Sequence, residues 1–320
     1  MSVSLSGKYT NFGVFKLYGD KALDRVLDIF FQLMLAIPVA DMIAFPKLGA
    51  SFFSVIDVFA TDHMTGMPSM PQPVLEYIFR AVGESVPLLG QDSSCSTMAC
   101  SAIDKICSFV LNWLIKNNTR ISDSADSADE MLETDEVEDP VRIARDRLLS
   151  TGSINGAAAA AAAAAASAAA GGRGSVDLSG GASSLLSKRL REQQQQEGAH
   201  WLVEYVLRNK DVMNYLLVVL FSVVVFENRN NHWALSRPLL GLILLNRDFF
   251  AEYTSLFVQA QLPDRREPLQ KLVHGLMEGI ETNLSTANRD RFTTNTNAFR
   301  RECSQMTLMP VSPDDSGIMS

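Results

Sequence analysis

The residue types that most often carry chemistry are sparse in this sequence, and their spacing matches no catalytic or metal-binding motif. The histidines lie outside any HExxH or GxSxG pattern, which favours surface or helix-end positions: His63, His200, His232 and His274. Cysteines 95, 100 and 107 are separated by four and six residues rather than by the two of a zinc knuckle, so we expect them to be small core side chains. We therefore predict no catalytic residue, no metal site and no enzyme.

Nucleotide and cofactor binding are equally unsupported by the glycine pattern. No GxxxxGK[ST] phosphate loop occurs in the sequence. The run Gly172-Arg173-Gly174 has neither a strand before it nor a helix after it, and is typical of a linker. We predict no bound cofactor.

Serines in an acidic run form the first candidate site. Ser124 and Ser127 lie among acidic residues, and the sequence from Ser127 to Glu130 fits a site for an acid-directed kinase. A solvated charge run without any modification remains the alternative.

Arginines near the C-terminus form the second candidate site. Arg289, Arg291, Arg300 and Arg301 belong to one predicted helix, where an acidic partner could dock. The alternative is a solvated helix face.

The net charge gives no general reason to expect nucleic acid as a partner. Residues 121–140 contain nine acidic residues and no lysine or arginine, so without them the formal net charge of −8 becomes +1. A nearly neutral body lacks the basic surface that binds a phosphate backbone.

Cysteine usage and hydropathy predict a soluble protein of a reducing compartment. Four cysteines in 320 residues are too few for a disulfide framework. The N-terminus lacks a basic start followed by an apolar stretch, so we expect no secretory signal. The strongest apolar run, Tyr215–Phe226, has 12 residues and is too short to cross a bilayer, so we predict a buried helix and no membrane insertion.

Apolar periodicity predicts two helical blocks, residues 1–116 and 198–303, without any alternating strand pattern. Prolines, glycines and capping residues mark the helix ends. The predicted helices of the first block cover 20–37, 46–59, 74–82 and 99–115. Those of the second cover 200–226, as one long helix or two short ones, and 236–246, 246–263, 268–284 and 287–301.

The first predicted helix has an unusually wide apolar surface. Its polar residues form one narrow stripe, and most other positions are apolar. A helix of this kind buries its surface against more than one neighbour. We therefore expect it to be covered on two sides.

Residues 117–197 and 304–320 differ in composition from the blocks. The former contain the acidic run, ten consecutive alanines from Ala157, a Gly/Ser stretch and Gln193–Gln196. Such composition cannot bury enough apolar surface to fold unaided, so we predict a disordered insertion. We predict a flexible tail for 304–320.

The order of the helices favours a solenoid. They follow one another as pairs of roughly 40 residues, which is the period of HEAT and armadillo repeats. The predicted fold is therefore an all-α, HEAT/armadillo-like helical-repeat solenoid interrupted by a disordered insertion. A single irregular helical bundle would give a similar pattern.

Three long segments, 9–38, 233–246 and 276–302, resemble nuclear export receptors of the importin-β-like (karyopherin) family. They begin YTNFGVFKLYGDKALDRV, WALSRPLLGLILLN and LMEGIETNLSTANRDRF, respectively. The resemblance covers both helical blocks and places the chain in the C-terminal part of such a receptor.

The resemblance implies stacked HEAT repeats that bind Ran-GTP, protein cargo and nuclear pore proteins while shuttling between nucleus and cytoplasm. It also implies that the main Ran contact lies in N-terminal repeats absent from this chain. The alternative function is a helical-repeat interaction scaffold without transport activity.

Overall fold

The computed structural model describes residues 22–62, 64, 72–88, 94–125, 139–150, 199–227 and 232–311, and every regular element in these ranges is a helix. The all-α prediction is confirmed. In chain order the helices are α1 (Ala22–Ala36), α2 (Val39–Ala44), α3 (Pro46–Asp62), α4 (Gln72–Leu88), α5 (Ser94–Ala125), α6 (Pro140–Ser150), α7 (Ala199–Arg208), α8 (Lys210–Phe226), α9 (His232–Leu245), α10 (Arg247–Gln259), α11 (Pro263–Leu276) and α12 (Thr286–Cys303).

The helices stack as pairs in two layers. One layer contains α3, α5, α9 and α12, each of which contacts the next. The other contains α1, α4, α8 and α10, again with each helix contacting the next; α4 packs on α5 and α8 packs on α9. The final pair is α11 with α12. This arrangement is a helical-repeat solenoid, as the sequence predicts.

The two helical blocks share one hydrophobic core although more than 80 residues separate them in sequence. Their junction is the contact between α5 and α9, where Gly241 allows a close approach. A Cβ atom at Gly241 would lie 2.7 Å from the Cβ of Cys107, which is closer than side chains can approach. The stack therefore continues directly from the first block to the second.

The 200–226 segment consists of two helices, α7 and α8, bent by 72°, which is one of the two alternatives that the sequence leaves open. Other helix boundaries differ from those predicted. The predicted starts of α9 and α11 are wrong, because each helix begins before the proline that marks its predicted start. Pro263 begins α11 at a position that needs no N–H donor, and Pro268 lies within the same helix.

The predicted helix 268–284 is wrong in its second half. Helix α11 ends at Leu276, and Gly279 then adopts a left-handed φ of 68° that a helix cannot contain. Ile280 and Leu284 still pack against the core, from a turn instead of a helix face. The apolar spacing therefore predicts correctly that Ile280 and Leu284 pack against the core, and predicts wrongly that they lie in a helix.

Part of the predicted disordered insertion is helical. Helix α5 continues to Ala125, and α6 lies within the segment 117–197. Val141 of α6 is 2% exposed and packs into the core, while Arg145 forms an ion pair with Asp248 at 3.4 Å. The prediction is wrong for 139–150 because a short apolar face can fold against an existing helix, here α5. Residues 126–138 and 151–198 lie outside the described ranges.

The start of the predicted flexible tail is also ordered. The side chain of Gln261 donates to the carbonyl oxygen of Met309 at 3.0 Å and accepts from its N–H at 2.8 Å. Leu308 and Val311 pack against the core. The prediction is wrong for 304–311, because the buried amide of Gln261 holds this irregular stretch against the core, and 312–320 lie outside the described residues.

Among the described residues, one helix segment is long and apolar enough to cross a membrane by length and composition, namely Ser94–Asn117 of α5, and α7 with α8 passes the same test only as a pair bent by 72°. Half of the most apolar window of α5 is buried within the protein, where Ile103, Ile106 and Val110 contribute to the core. Packing between α3 and α9 accounts for its hydropathy, so we interpret α5 as a core helix.

Candidate functional site

The last helix, α12, carries the arginines that the sequence singled out, and its geometry separates them. Ser285 caps the start of helix α12, and its hydroxyl accepts a hydrogen bond from the N–H of Asn288 at 3.3 Å. Phe292 and Phe299 turn one face of the helix into the core, where Phe299 contacts Phe221 of α8. This packing fixes which direction each arginine takes.

Arg289 lies on the inward face, and its guanidinium group joins α12 to α5. Its Nη1 donates to both carboxylate oxygens of Asp104, at 2.8 and 2.6 Å, and its Nη2 donates to Ser108 Oγ at 2.6 Å. The Nε atom donates to the carbonyl oxygen of Leu284 at 2.9 Å. The side chains of Arg289 and Asp104 are 10% and 16% exposed.

This arrangement corrects the prediction that Arg289 binds a partner. All three nitrogens of its guanidinium group have acceptors inside the chain, and these four hydrogen bonds use four of its five N–H donors, so the side chain is committed to internal contacts. Arg289 instead connects two helices that flank α9, and thereby holds three consecutive helices of one layer together.

Arg237 of α9 lies beside this ion pair and was not predicted as a site. Its guanidinium carbon is 3.6 Å from the ring centroid of Trp233, a side chain that is 52% exposed. Its Nε is buried without a hydrogen-bond partner among the described residues. Burial lowers the pKa of Arg237, the positive charge of Arg289 adds to this effect, and Asp104 and Asp290 oppose it.

Arg291 points away from Arg289 and stabilises a turn. Its Nη1 donates to the carbonyl oxygen of Gly279 at 2.6 Å. The same side chain lies over Gly279, whose left-handed conformation ends the α11 segment. The prediction of one arginine cluster is therefore wrong, since Arg289 and Arg291 serve two separate internal contacts.

Arg300 and Arg301 border a surface cleft between the ends of α8 and α12. The cleft has a volume of about 760 Å³ and combines apolar and polar side chains. Burial lowers the pKa of Arg300, and the exposed Arg301 lies 3.3 Å from Glu302. The lining residues are Val225, Phe226, Glu227, Asn297, Arg300, Arg301, Cys303, Ser304, Met306, Thr307 and Leu308. Of the predicted arginines, this pair alone borders that cleft.

The structure does not test the two candidate phosphorylation sites, Ser124 and Ser127. Ser124 belongs to the last turns of α5, and Ser127 lies outside the described residues. Phosphorylation at either position stays a prediction.

The described residues offer no reactive thiol and no metal-ligand cluster. Cysteines 95, 100, 107 and 303 are buried and form no disulfide with one another, which confirms the predicted core role of the first three. Burial raises the pKa of Cys107 strongly and that of Cys303 to about 12, so both thiols stay protonated at neutral pH. No group of three or more His, Cys, Asp or Glu residues within the described ranges could hold a metal ion.

Histidine positions add no chemistry to the site. His274 is exposed in the last turn of α11. At the start of α7, the ring centroid of His200 lies 5.4 Å from the ring centroid of Trp113, a residue of α5. The side chains of His63 and His232 are outside the described set.

Sequence patterns could not have found the contact of Arg289 with Asp104. The two residues are 185 positions apart, and each resembles an ordinary polar residue on an amphipathic helix. Trp233 offered a weak signal, because a tryptophan four residues before an arginine places the two side chains on one helix face.

Comparison with known proteins finds several relatives whose similarity covers all or nearly all of this chain. Exportin-7-B of Xenopus laevis is 30% identical over the whole chain, and Ran-binding protein 17 of Homo sapiens is 28% identical over 94% of it. Ran-binding protein 16 of Drosophila melanogaster is 26% identical over 93% of the chain. No family model and no solved structure matches the chain.

The chain spans under a quarter of the length of these relatives, 23% for exportin-7-B and 21% for the two Ran-binding proteins. Their names describe export and binding instead of a catalysed reaction, which agrees with the prediction that the chain is not an enzyme. The comparisons also confirm the resemblance found in the sequence: this chain is similar over its whole length to a C-terminal part of exportin-7, and over more than nine-tenths of its length to Ran-binding proteins 16 and 17.

Proposed function

We propose that this chain is part of a nuclear export receptor that carries protein cargo through nuclear pores in a Ran-GTP-dependent manner. The observation that carries the proposal is the similarity to exportin-7-B, which extends over the whole chain. Stacked helix pairs of HEAT type provide the long, repeated surfaces that suit recognition of folded proteins. The receptor shuttles between nucleus and cytoplasm and contacts pore proteins on the way.

The mechanism depends on surface recognition coupled to the shape of the stack. Each helix pair in a solenoid touches only its neighbours, so a partner that binds across several pairs can favour one curvature over another. The contact of Arg289 with Asp104 limits this freedom for α5, α9 and α12. We expect these three helices to move as one body and the curvature to change elsewhere.

The chain by itself should bind Ran-GTP weakly. A GTP-sensing contact must reach the loops that the γ-phosphate orders, and we place that contact in N-terminal repeats outside this chain. Arg289 and Arg291 are committed to internal contacts, which leaves Arg300 and Arg301 at the cleft as the proposed secondary partner contact. Loss of a linked main contact removes most of the affinity.

Titration of the purified chain with Ran-GTP at physiological salt should give a dissociation constant no tighter than about 10 μM. Sub-micromolar, GTP-selective binding would contradict this expectation. If such binding were lost in Arg301→Ala and kept in Lys271→Ala, a lysine on the exposed face of α11, the contact would map to the cleft.

The export proposal itself is tested on the longest form of the protein that the gene encodes. Immobilised protein should retain Ran loaded with GTP and release Ran loaded with GDP. Equal retention of both forms, or of neither, would favour a helical scaffold without transport activity.

A further inference from the structure

Arg237, on helix α9, carries a positive charge that its surroundings balance only in part. Its Nε atom is buried and has no acceptor among the described residues. The carboxylates that act on this charge belong to Asp104 and Asp290, and both oxygens of Asp104 already accept hydrogen bonds from Arg289. Asp290 is exposed, so water and salt screen its charge. Two guanidinium groups therefore lie around one well-buried carboxylate where α9 meets α5 and α12.

The neighbouring tryptophan holds this arginine in a fixed orientation. The guanidinium carbon of Arg237 lies 3.6 Å from the ring centroid of Trp233, so the planar group stacks on the indole. Arg237 is partly exposed, and Trp233 is well exposed although tryptophan is largely covered in most folded proteins. A stacked arginine loses little side-chain entropy on binding. The two residues therefore present a pre-oriented cation beside an exposed aromatic ring.

This pair of residues is separate from the cleft between α8 and α12. The pair belongs to the first two turns of α9, and its neighbour Ser236 is hydrogen-bonded to Thr293 of α12 at 2.7 Å. Arg301 of the cleft follows Thr293 by eight positions, which is about two turns along the same helix. A ligand at the pair is thus distinct from the proposed cleft contact, and it does not depend on the export proposal.

The charges around Arg237 select the kind of anion that fits. A carboxylate matches the planar guanidinium fork through two parallel, charge-assisted hydrogen bonds. A polyanion such as RNA would bring further negative charges towards Asp104 and Asp290, while the adjacent Arg289 is committed to internal contacts. An apolar side chain next to the carboxylate would cover the exposed indole. The chemistry therefore favours an acidic residue of a polypeptide, with an apolar residue beside it.

We propose that Arg237 and Trp233 form a docking site for a partner polypeptide that presents an aspartate or glutamate next to a large apolar side chain. The carboxylate of the partner supplies the counter-charge that the described residues lack, and its apolar neighbour packs on the indole ring of Trp233. Arginine and tryptophan are the residue types that most often dominate the binding energy of protein interfaces, particularly where water is excluded.

Peptide selection on the purified 320-residue chain tests the site. A display library of short random peptides is selected in parallel on the wild type and on Arg237→Met, which keeps the apolar stem of the side chain. Peptides enriched on the wild type alone should carry Asp or Glu next to an aromatic or aliphatic residue. The best of them, synthesised with a dye, should bind Arg237→Met about tenfold more weakly by fluorescence anisotropy, since bidentate charged hydrogen bonds are lost.

Matched variants locate the contact. Trp233→Ala should also weaken binding of that peptide, whereas Arg301→Met, which changes an arginine at the cleft, should leave its affinity unchanged. Binding that is lost in Arg301→Met and kept in Arg237→Met would place the peptide in the cleft and overturn the proposal. The same peptides enriched on both proteins, or enriched peptides without an acidic residue, would overturn it as well. Displacement of the peptide by single-stranded RNA would assign the pair to a polyanion instead.

Urea denaturation separates a binding role of Arg237 from a structural one. Because its Nε has no acceptor among the described residues, Arg237→Met should leave the denaturation midpoint nearly unchanged. A fall in the midpoint as large as that of Arg289→Ala would show that Arg237 stabilises the core, and would overturn the proposal.

Discussion

Replacement of Arg289 by alanine should destabilise the folded chain by about 3 kcal/mol. Removal of one partner from a buried ion pair costs about 3–5 kcal/mol, because the other charge stays buried without compensation. The low end applies here, since the Asp104 side chain is 16% exposed and keeps some contact with water. The same substitution leaves Ser108 Oγ and the carbonyl oxygen of Leu284 without their donor.

Urea denaturation followed by circular dichroism measures this loss without the screening that guanidinium salts introduce. The control is Arg301→Ala, whose ion pair with Glu302 has side chains 72% and 42% exposed. An exposed pair of this kind contributes about 0–1 kcal/mol, so the control should unfold at nearly the wild-type urea concentration. Moderate salt should shift the control more than it shifts the buried pair.

A double-mutant cycle separates the pairwise interaction from loss of packing. Asp104→Ala, Arg289→Ala and the double variant should give a coupling free energy of about 2–3 kcal/mol, because the two groups share three hydrogen-bonded atoms at 2.6–2.8 Å. A cost below about 1 kcal/mol for Arg289→Ala, or a coupling near zero, would refute the role of this pair in joining α5 to α12.

Three further predictions concern the insertion and the core. Deletion of 151–197 with a short Gly/Ser join should change the melting temperature little by differential scanning calorimetry, because closure entropy grows slowly with loop length; loss of cooperative unfolding would contradict this. Leu276→Ala should cost about 2–5 kcal/mol in urea because Leu276 is 1% exposed, and the half-buried Leu272 should cost less; equal small losses would show an exposed face. Gly241→Ala should destabilise by about 1–3 kcal/mol because its Cβ would meet a neighbouring helix, whereas Gly275→Ala, with open space around it, should not; similar behaviour of both variants would argue against the close contact.

Local sequence patterns were sufficient to predict the helices but not all of their ends. The stripe of Phe292 and Phe299 places α12 correctly, because periodicity depends only on neighbouring residues. The prolines gave wrong predictions for the starts of α9 and α11, because a proline near a helix start does not fix whether the helix begins before it or at it. Residues 139–150 look polar in isolation, and α6 folds because α5 supplies the apolar surface that it needs.

The candidate site depends on contacts that no local pattern encodes. Arg289 and Arg291 are two residues apart, and their side chains serve opposite sides of α12 because successive helical positions are rotated by about 100°. Only the packed neighbours decide which of them meets a carboxylate and which meets a backbone carbonyl. A cluster of like charges in sequence is therefore poor evidence of a cluster in space.

The wide apolar arc of α1 shows the converse case, in which the sequence predicts more burial than the described residues provide. Periodicity predicts two covered sides for α1, and the core accounts for one, through Phe31 and Met34. A helix selected only for this core would carry polar residues at Ile29 and Leu33, because exposed apolar side chains favour association. Contact with α4 therefore accounts for only part of the apolar surface that α1 carries, and the periodicity of its sequence describes more of that surface than the core of the described residues buries.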